Sequence, residues 1–154
     1  MNLKTILIKE IDGSFAKELT DLLSLEEKEY SKYFIPFNFD YSTINKILTE
    51  KKEDKFFGLF VDDSLIGFYM LRGFDEGYEI PSFGVWISKA YSAKGLSKLT
   101  LQHAVSICKI NGVKKLLLKV HPENKRAIKI YENFGFIKES VDPKNKNLIY
   151  YKDI

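Results

Sequence analysis

The stretch HPENKRAIKIYENFGF, His121 to Phe136, follows directly on the apolar run LLLKV, Leu116 to Val120. That run is short and uninterrupted, as a buried strand is, and we take the strand as Lys115 to Val120. HPEN then opens a helix in which Ala127, Ile128, Ile130, Tyr131 and Phe134 recur at helical spacing, and Gly135 stops it. Upstream stands IPSFGVWIS, Ile80 to Ser88, a second strand-like run. The helix-like LSKLTLQHAVSICKI, Leu96 to Ile110, connects the two and ends at Asn111-Gly112. Strand, helix, strand in this order implies a right-handed crossover between two parallel strands.

Outside this unit the signals are antiparallel. Lys55 to Val61 and Leu65 to Arg72 flank Asp62-Asp63-Ser64, a tight-turn signal, and read as a hairpin. Phe136 to Val141 and Leu148 to Lys152 flank the polar DPKNKN and read as a closing hairpin. Leu3 to Glu10 reads as a first strand. Ser14 is the expected cap of a helix over Phe15 to Leu23, and Ser42 or Thr43 the cap of another ending near Glu50. Between those helices lies YSKYFIPFNFDY, Tyr30 to Tyr41, with six aromatics in twelve positions; Pro36 interrupts any continuous helix there. The order gives an α/β (α+β) fold, mostly antiparallel, with one parallel pair near the centre.

At 154 residues, 45% of them hydrophobic, the chain is expected to form a single domain, 1–154. A net charge of +3, evenly spread, gives no concentrated basic face and argues against nucleic acid as partner. It suits an anionic small molecule at a local patch. One cysteine, Cys108, excludes an intrachain disulfide, and the two histidines, His103 and His121, show no metal-ligand spacing, so no metal is expected. MNLKTILIKE lacks a signal-peptide pattern, and no run reaches the ~20 apolar residues of a membrane span. The expectation is a cytoplasmic protein without a membrane partner, monomeric or homodimeric.

YSAKGLSKLT, Tyr91 to Thr100, sits between a strand and a helix N-terminus, where unpaired backbone N–H groups and the helix dipole favour an anion. Ala93-Lys94-Gly95 supplies small residues, Ser92 and Ser97 add hydroxyls, and Lys94 and Lys98 add charge. By itself this stretch is also compatible with an ordinary turn.

Taken with Asn124, Ala127, Tyr131, Gly135 and Phe136, which meet the pattern N-x-x-A-x-x-x-Y-x-x-x-G-F in full, the region from Leu59 to Ile137 resembles the GNAT superfamily of acyl-CoA-dependent N-acetyltransferases. That family's loop pattern, Q/R-x-x-G-x-G/A, falls on Ser92 to Ser97 and is met only at Gly95. The resemblance implies a mixed central sheet whose parallel pair splays, and acetyl-CoA as co-substrate. It implies that backbone groups of Trp86, Ile87 and Ser88 face the pantetheine arm. The amides of Ala93, Lys94, Gly95, Leu96 and Ser97 are implied to hold the pyrophosphate, with Ser92, Lys94 and Lys98 helping. Asn124 is implied to touch the pantetheine or to organise the splay, with Ala127 also at the CoA site and Tyr131 beside the sulfur. The absent arginine or glutamine at Ser92 and the larger Ser97 imply weaker binding, partly offset by the lysines.

An amine must be neutral to attack a thioester, and lysine-like amines titrate near ~10, so a general base helps; the leaving thiolate needs a proton. Tyr131 is the expected acid. For the base, Glu79 comes first, with Asp75, Glu76 and His121 as alternatives. Cys108, mid-helix among Val105, Ile107 and Ile110, reads as a buried structural cysteine, which favours direct transfer over an acyl-enzyme. The acceptor side is expected from the aromatic segment, with Tyr33 and Phe37, and from GFDEGYE, with Asp75 and Glu76, a small-molecule amine being the partner. EGYEIPSFGVWI resembles acetyltransferases that act on nucleotide-linked amino sugars. Two alternatives stay open: a protein N-terminal or lysine acetyltransferase, with an open acid-lined groove, and a non-catalytic acyl-CoA-binding module.

Overall fold

The computed structural model describes all of residues 1–154. The first strand, β1 (Ile6–Glu10), is shorter than the run from Leu3 suggests. Its partner β2 (Lys55–Val61) ends opposite Ile6, so Leu3 to Thr5 have no strand to pair with. Helices α1 (Ala16–Ser24), α2 (Lys28–Ser31) and α3 (Tyr41–Glu50) occupy the segment between these strands. Carboxylates rather than hydroxyls stand at the starts of the first and third. Asp12 accepts the Ser14 N–H at 2.9 Å ahead of a single 3-10 turn, and Asp40 accepts the Thr43 N–H at 2.9 Å. A carboxylate satisfies an orphan donor as Ser or Thr does and also complements the helix dipole.

β3 (Ser64–Arg72) forms the expected hairpin with β2. Both strands are buried along nearly their whole length, which explains their continuous apolar runs. One face, with Phe56, Phe60, Phe68 and Met70, packs under α1 and α3. The other, with Phe57, Leu59, Tyr69 and Leu71, packs under α4 (Leu96–Ile110). α4 turns Leu101, Ala104, Val105 and Cys108 inward at helical spacing. β4 (Ser82–Ile87) begins after Pro81, two residues later than expected, because proline has no N–H for the ladder. The chain closes with β5 (Lys115–Val120), α5 (Lys125–Asn133), β6 (Ile137–Val141) and β7 (Leu148–Asp153).

The seven strands run in the order β1-β2-β3-β4-β5-β7-β6, and only β4–β5 is parallel. That pair is brief: Ser82 matches Leu117, Phe83 matches Leu118, and the strands then part. β5 keeps its other neighbour to the end, with Val120 opposite Leu148. The sheet therefore opens into a V at its centre. No helix of the chain is long and apolar enough to cross a membrane.

Candidate active site

The open side of the V exposes one strand edge. Ser88 donates its N–H to Ile66 O at 2.9 Å, and the β3–β4 register makes Trp86 opposite Phe68 the next bonded pair. Bonded and non-bonded pairs alternate in an antiparallel ladder, so the N–H and C=O groups of Val85 and Ile87 point the other way, into the V. β5 has diverged by then, and these groups are left without a strand partner.

A cleft of about 620 Å³ fills the V, lined by Val85 and Ile87, the loop before α4, one face of α5 and the aromatics Tyr30, Tyr33 and Phe34. The loop turns through Ala93 at φ +59 and Gly95 at φ +81, and Gly95 is the N-cap of α4 with no side-chain cap. The first intrahelical bond runs from Leu99 N to Gly95 O, so the amides of Leu96, Ser97 and Lys98 have no helical acceptor. A β-carbon on Gly95 would meet nothing within 4 Å. Glycine is there for its positive φ.

Lys98, Lys119, Arg126 and Lys129 line this cleft, and no carboxylate does. Lys119 pairs with Asp142 at 3.3 Å; Lys98, Arg126 and Lys129 are in none of the chain's ion pairs. Asn124 caps α5, its Oδ1 accepting the Ala127 N–H at 3.3 Å, and both residues border the cleft. Tyr131 is buried against Phe136, and burial alone pushes its phenol up to about 12. It stays protonated at neutral pH. No buried side-chain polar atom lacks a partner, and Tyr131 Oη, with none from the protein, meets the cleft.

A second cleft of about 770 Å³ lies over the start of β4, lined by Arg72, Glu76, Tyr78, Glu79, Leu117 and Tyr151 among others. Lys119 lines both clefts and marks where they meet. The loop bearing Glu76 and Glu79 is held at its base by a reciprocal clasp. Asp54 accepts the N–H groups of Gly73 and Asp75 at 3.0 and 3.1 Å, while Asp75 accepts those of Lys52 and Glu53 at 3.0 and 2.6 Å. These bonds hold the Asp75 carboxyl below the usual range.

The expected site residues divide accordingly. Ile87, Ser92, Ala93, Gly95, Leu96, Ser97, Lys98, Asn124, Ala127, Tyr131 and Tyr33 come together at the first cleft. Trp86 does not: its backbone pairs with Phe68, and its ring is buried with Nε1 donating to Ser31 Oγ at 3.0 Å. Ser88 is buried with its N–H bonded to Ile66 of β3, and Lys94 lies outside the lining. Phe37 packs on Phe56 and Phe68 under Arg72, and Asp75 serves the clasp; neither lines the first or the second cleft. Glu79 and Glu76 line the second cleft, apart from Tyr131. His121 takes the Glu123 N–H on Nδ1 and lies against Tyr33, with ring centroids 4.7 Å apart. Cys108 is buried, its thiol pushed up to about 11 by that burial.

Val85, Tyr30, Arg126 and Lys129 were missing from the expected set. Strand alternation from Ile87 reaches Val85 two residues back, and helical spacing from Arg126 reaches Lys129.

A family model described as "Acetyltransferase (GNAT) family" matches residues 19–136. The chain is 27% identical to "Probable N-acetyltransferase YjcK" of Bacillus subtilis (strain 168), over 92% of this chain and 86% of that one. A "Probable spermine N(1)-acetyltransferase" of Bacillus subtilis subsp. natto (strain BEST195) is 34% identical over 51% of this chain and 57% of its own length. Among solved structures, the PaiA N-acetyltransferase of Thermoplasma acidophilum in complex with coenzyme A superposes with a TM-score of 0.77. It is 21% identical, covers 97% of this chain and 99% of its own, and shares the fold.

Proposed function

The chain belongs to the acetyltransferase (GNAT) family, and from that premise we propose that it moves an acetyl group from acetyl-CoA, bound in the first cleft, directly to a primary amine of a small molecule held in the second. One observation carries this reading. The edge at Val85 and Ile87, left without a strand partner, runs through a carboxylate-free cleft that ends at the N-terminus of α4. A pantetheine arm can add to that edge as a strand, and a pyrophosphate can take the free amides of Leu96 to Lys98. Lys98, Arg126 and Lys129 supply charge, with Arg126 serving where Ser92 stands in place of the family's arginine.

Acetyl-CoA supplies the activated thioester when bound. Tyr131 holds a proton on Oη and donates it toward the sulfur; a buried sulfur is also the stronger proton acceptor, as the raised Cys108 thiol illustrates. Glu79 meets the acceptor ammonium in the second cleft and takes its proton through water. Lys119, where the clefts meet, borders the path between them.

Arg72 and Lys119 beside Glu76 and Glu79 give the second cleft both signs of charge, with Tyr78 exposed at its edge. A nucleotide-linked amino sugar uses both, its ammonium on the acids and its phosphates on the bases. A polyamine is the second reading, favoured by the name of the 34% identical relative. The test is turnover of acetyl-CoA against a nucleotide-linked amino sugar, spermidine and an N-terminal peptide, with acetyl-CoA binding followed by calorimetry. Turnover is expected with the amino sugar. A preference for spermidine moves the acceptor to the second reading, a preference for the peptide overturns the small-molecule acceptor, and absent acetyl-CoA binding overturns the whole.

A further inference from the structure

The aromatic segment crosses the mouth of the V. α2 and the residues after it are pinned to β4 at two points: Tyr30 Oη donates to Ile87 O at 2.5 Å, and Ser31 Oγ accepts the Trp86 Nε1–H. On the other arm, Tyr33 lies against His121, just beyond β5. Two of these anchors leave the strand edge alone. The third does not, because Ile87 O is one of the few backbone groups that the splay frees from strand pairing.

We propose that Tyr30 sets the affinity for the co-substrate by competing for the Ile87 carbonyl with the pantetheine arm, its hydroxyl standing in for the amide that acyl-CoA brings. This rests on acyl-CoA occupying the first cleft. An added strand brings its amide to Ile87 O, the oxygen to which the phenol already donates. Burial pushes the Tyr30 phenol up, so it remains an O–H donor at neutral pH. Its ring packs edge-on against Trp86, with centroids 6.1 Å apart, so the ring is held in place whether or not the hydroxyl is present. Binding therefore exchanges one hydrogen bond for another at Ile87 and gains less there than at an open edge.

Tyr30→Phe keeps the ring and removes the competitor. Calorimetry with acetyl-CoA and with adenosine 3′,5′-bisphosphate, which lacks the pantetheine arm, separates the possibilities. The variant is expected to bind acetyl-CoA about two- to tenfold more tightly, the worth of one net hydrogen bond, and the bisphosphate unchanged. Unchanged bisphosphate binding also certifies that the variant is folded. If the unaltered protein binds both ligands and the variant binds acetyl-CoA no more tightly, the competition is overturned alone. Weakened binding of both ligands by the variant overturns it too, since the hydroxyl is then structural. If the unaltered protein binds neither, the acyl-CoA reading of the cleft falls and the competition falls with it.

Discussion

The two clefts that meet at Lys119 are built in opposite ways. The first is made chiefly of backbone: a strand edge left bare by a splay, and a helix N-terminus reached through residues at positive φ. The second is made of side chains on a loop, Glu76 and Glu79, which an Asp54–Asp75 clasp anchors to the start of β2. Backbone groups present the same donors whatever the side chains are, so the first cleft suits the part of the reaction that does not vary. The second can be refitted to a new acceptor by changing a few loop residues. The proposed division of labour would also account for a phosphate loop that departs from the family pattern. Ser92 costs a side chain, but the amides stay.

Substitutions at the first cleft should separate chemistry from binding most sharply. Tyr131→Phe removes the proton donor and leaves the ring packed on Phe136. Turnover is expected to fall by about 100-fold, with the acetyl-CoA dissociation constant nearly unchanged. Steady-state kinetics and calorimetry read the two effects apart, and unchanged turnover removes the acid role. Because burial raises this phenol to about 12, it stays protonated where the acceptor deprotonates. The rate should therefore climb from neutral pH toward the ~10 of a free amine without an earlier fall from loss of the acid.

Gly95→Val places a β-branched side chain at φ +81. Strain of about 1–3 kcal/mol is expected in the loop, seen as acetyl-CoA affinity reduced about tenfold. Arg126→Gln removes one of the three unpaired cations of the first cleft. A loss of about fivefold in affinity is expected, together with a shallower dependence on salt, since an exposed charge acts through screened fields. If affinity and salt slope both stay as they were, Arg126 does not compensate for Ser92.

Glu79→Gln tests the other side of the comparison and should leave acetyl-CoA binding the same. Turnover at neutral pH should fall about 100-fold with the loss of the base, and the KM for the acceptor should rise about threefold as one charged hydrogen bond becomes neutral. A change in acetyl-CoA affinity would show that the clefts are not independent.

How much the sequence disclosed follows the same line. Gly95, the helix that follows it, and Asn124 to Tyr131 carry the resemblance to the acetyltransferase family, which implied that they share a site, and the structure brings them to one cleft. The splay itself has no sequence signature, since it consists of the pairing that β4 and β5 fail to make after Phe83. Trp86 was therefore expected beside the pantetheine arm, whereas ladder alternation turns its backbone toward β3 and gives the edge to Val85. Phe37 and Asp75 were equally opaque. An aromatic beside a proline and an acid in a glycine-flanked loop look the same whether they face a ligand or their own chain. Only the contacts, Phe37 on Phe68 and Asp75 on the Glu53 amide, tell them apart.

The most direct test of the division between clefts is a titration of isotopically labelled protein with acetyl-CoA, followed by backbone amide resonances. Shifts are predicted at Val85 and Ile87 and at Leu96, Ser97 and Lys98, with Gly77 to Glu79 unmoved. Shifts confined to Gly77 to Glu79, with Val85 and Ile87 silent, would contradict the account.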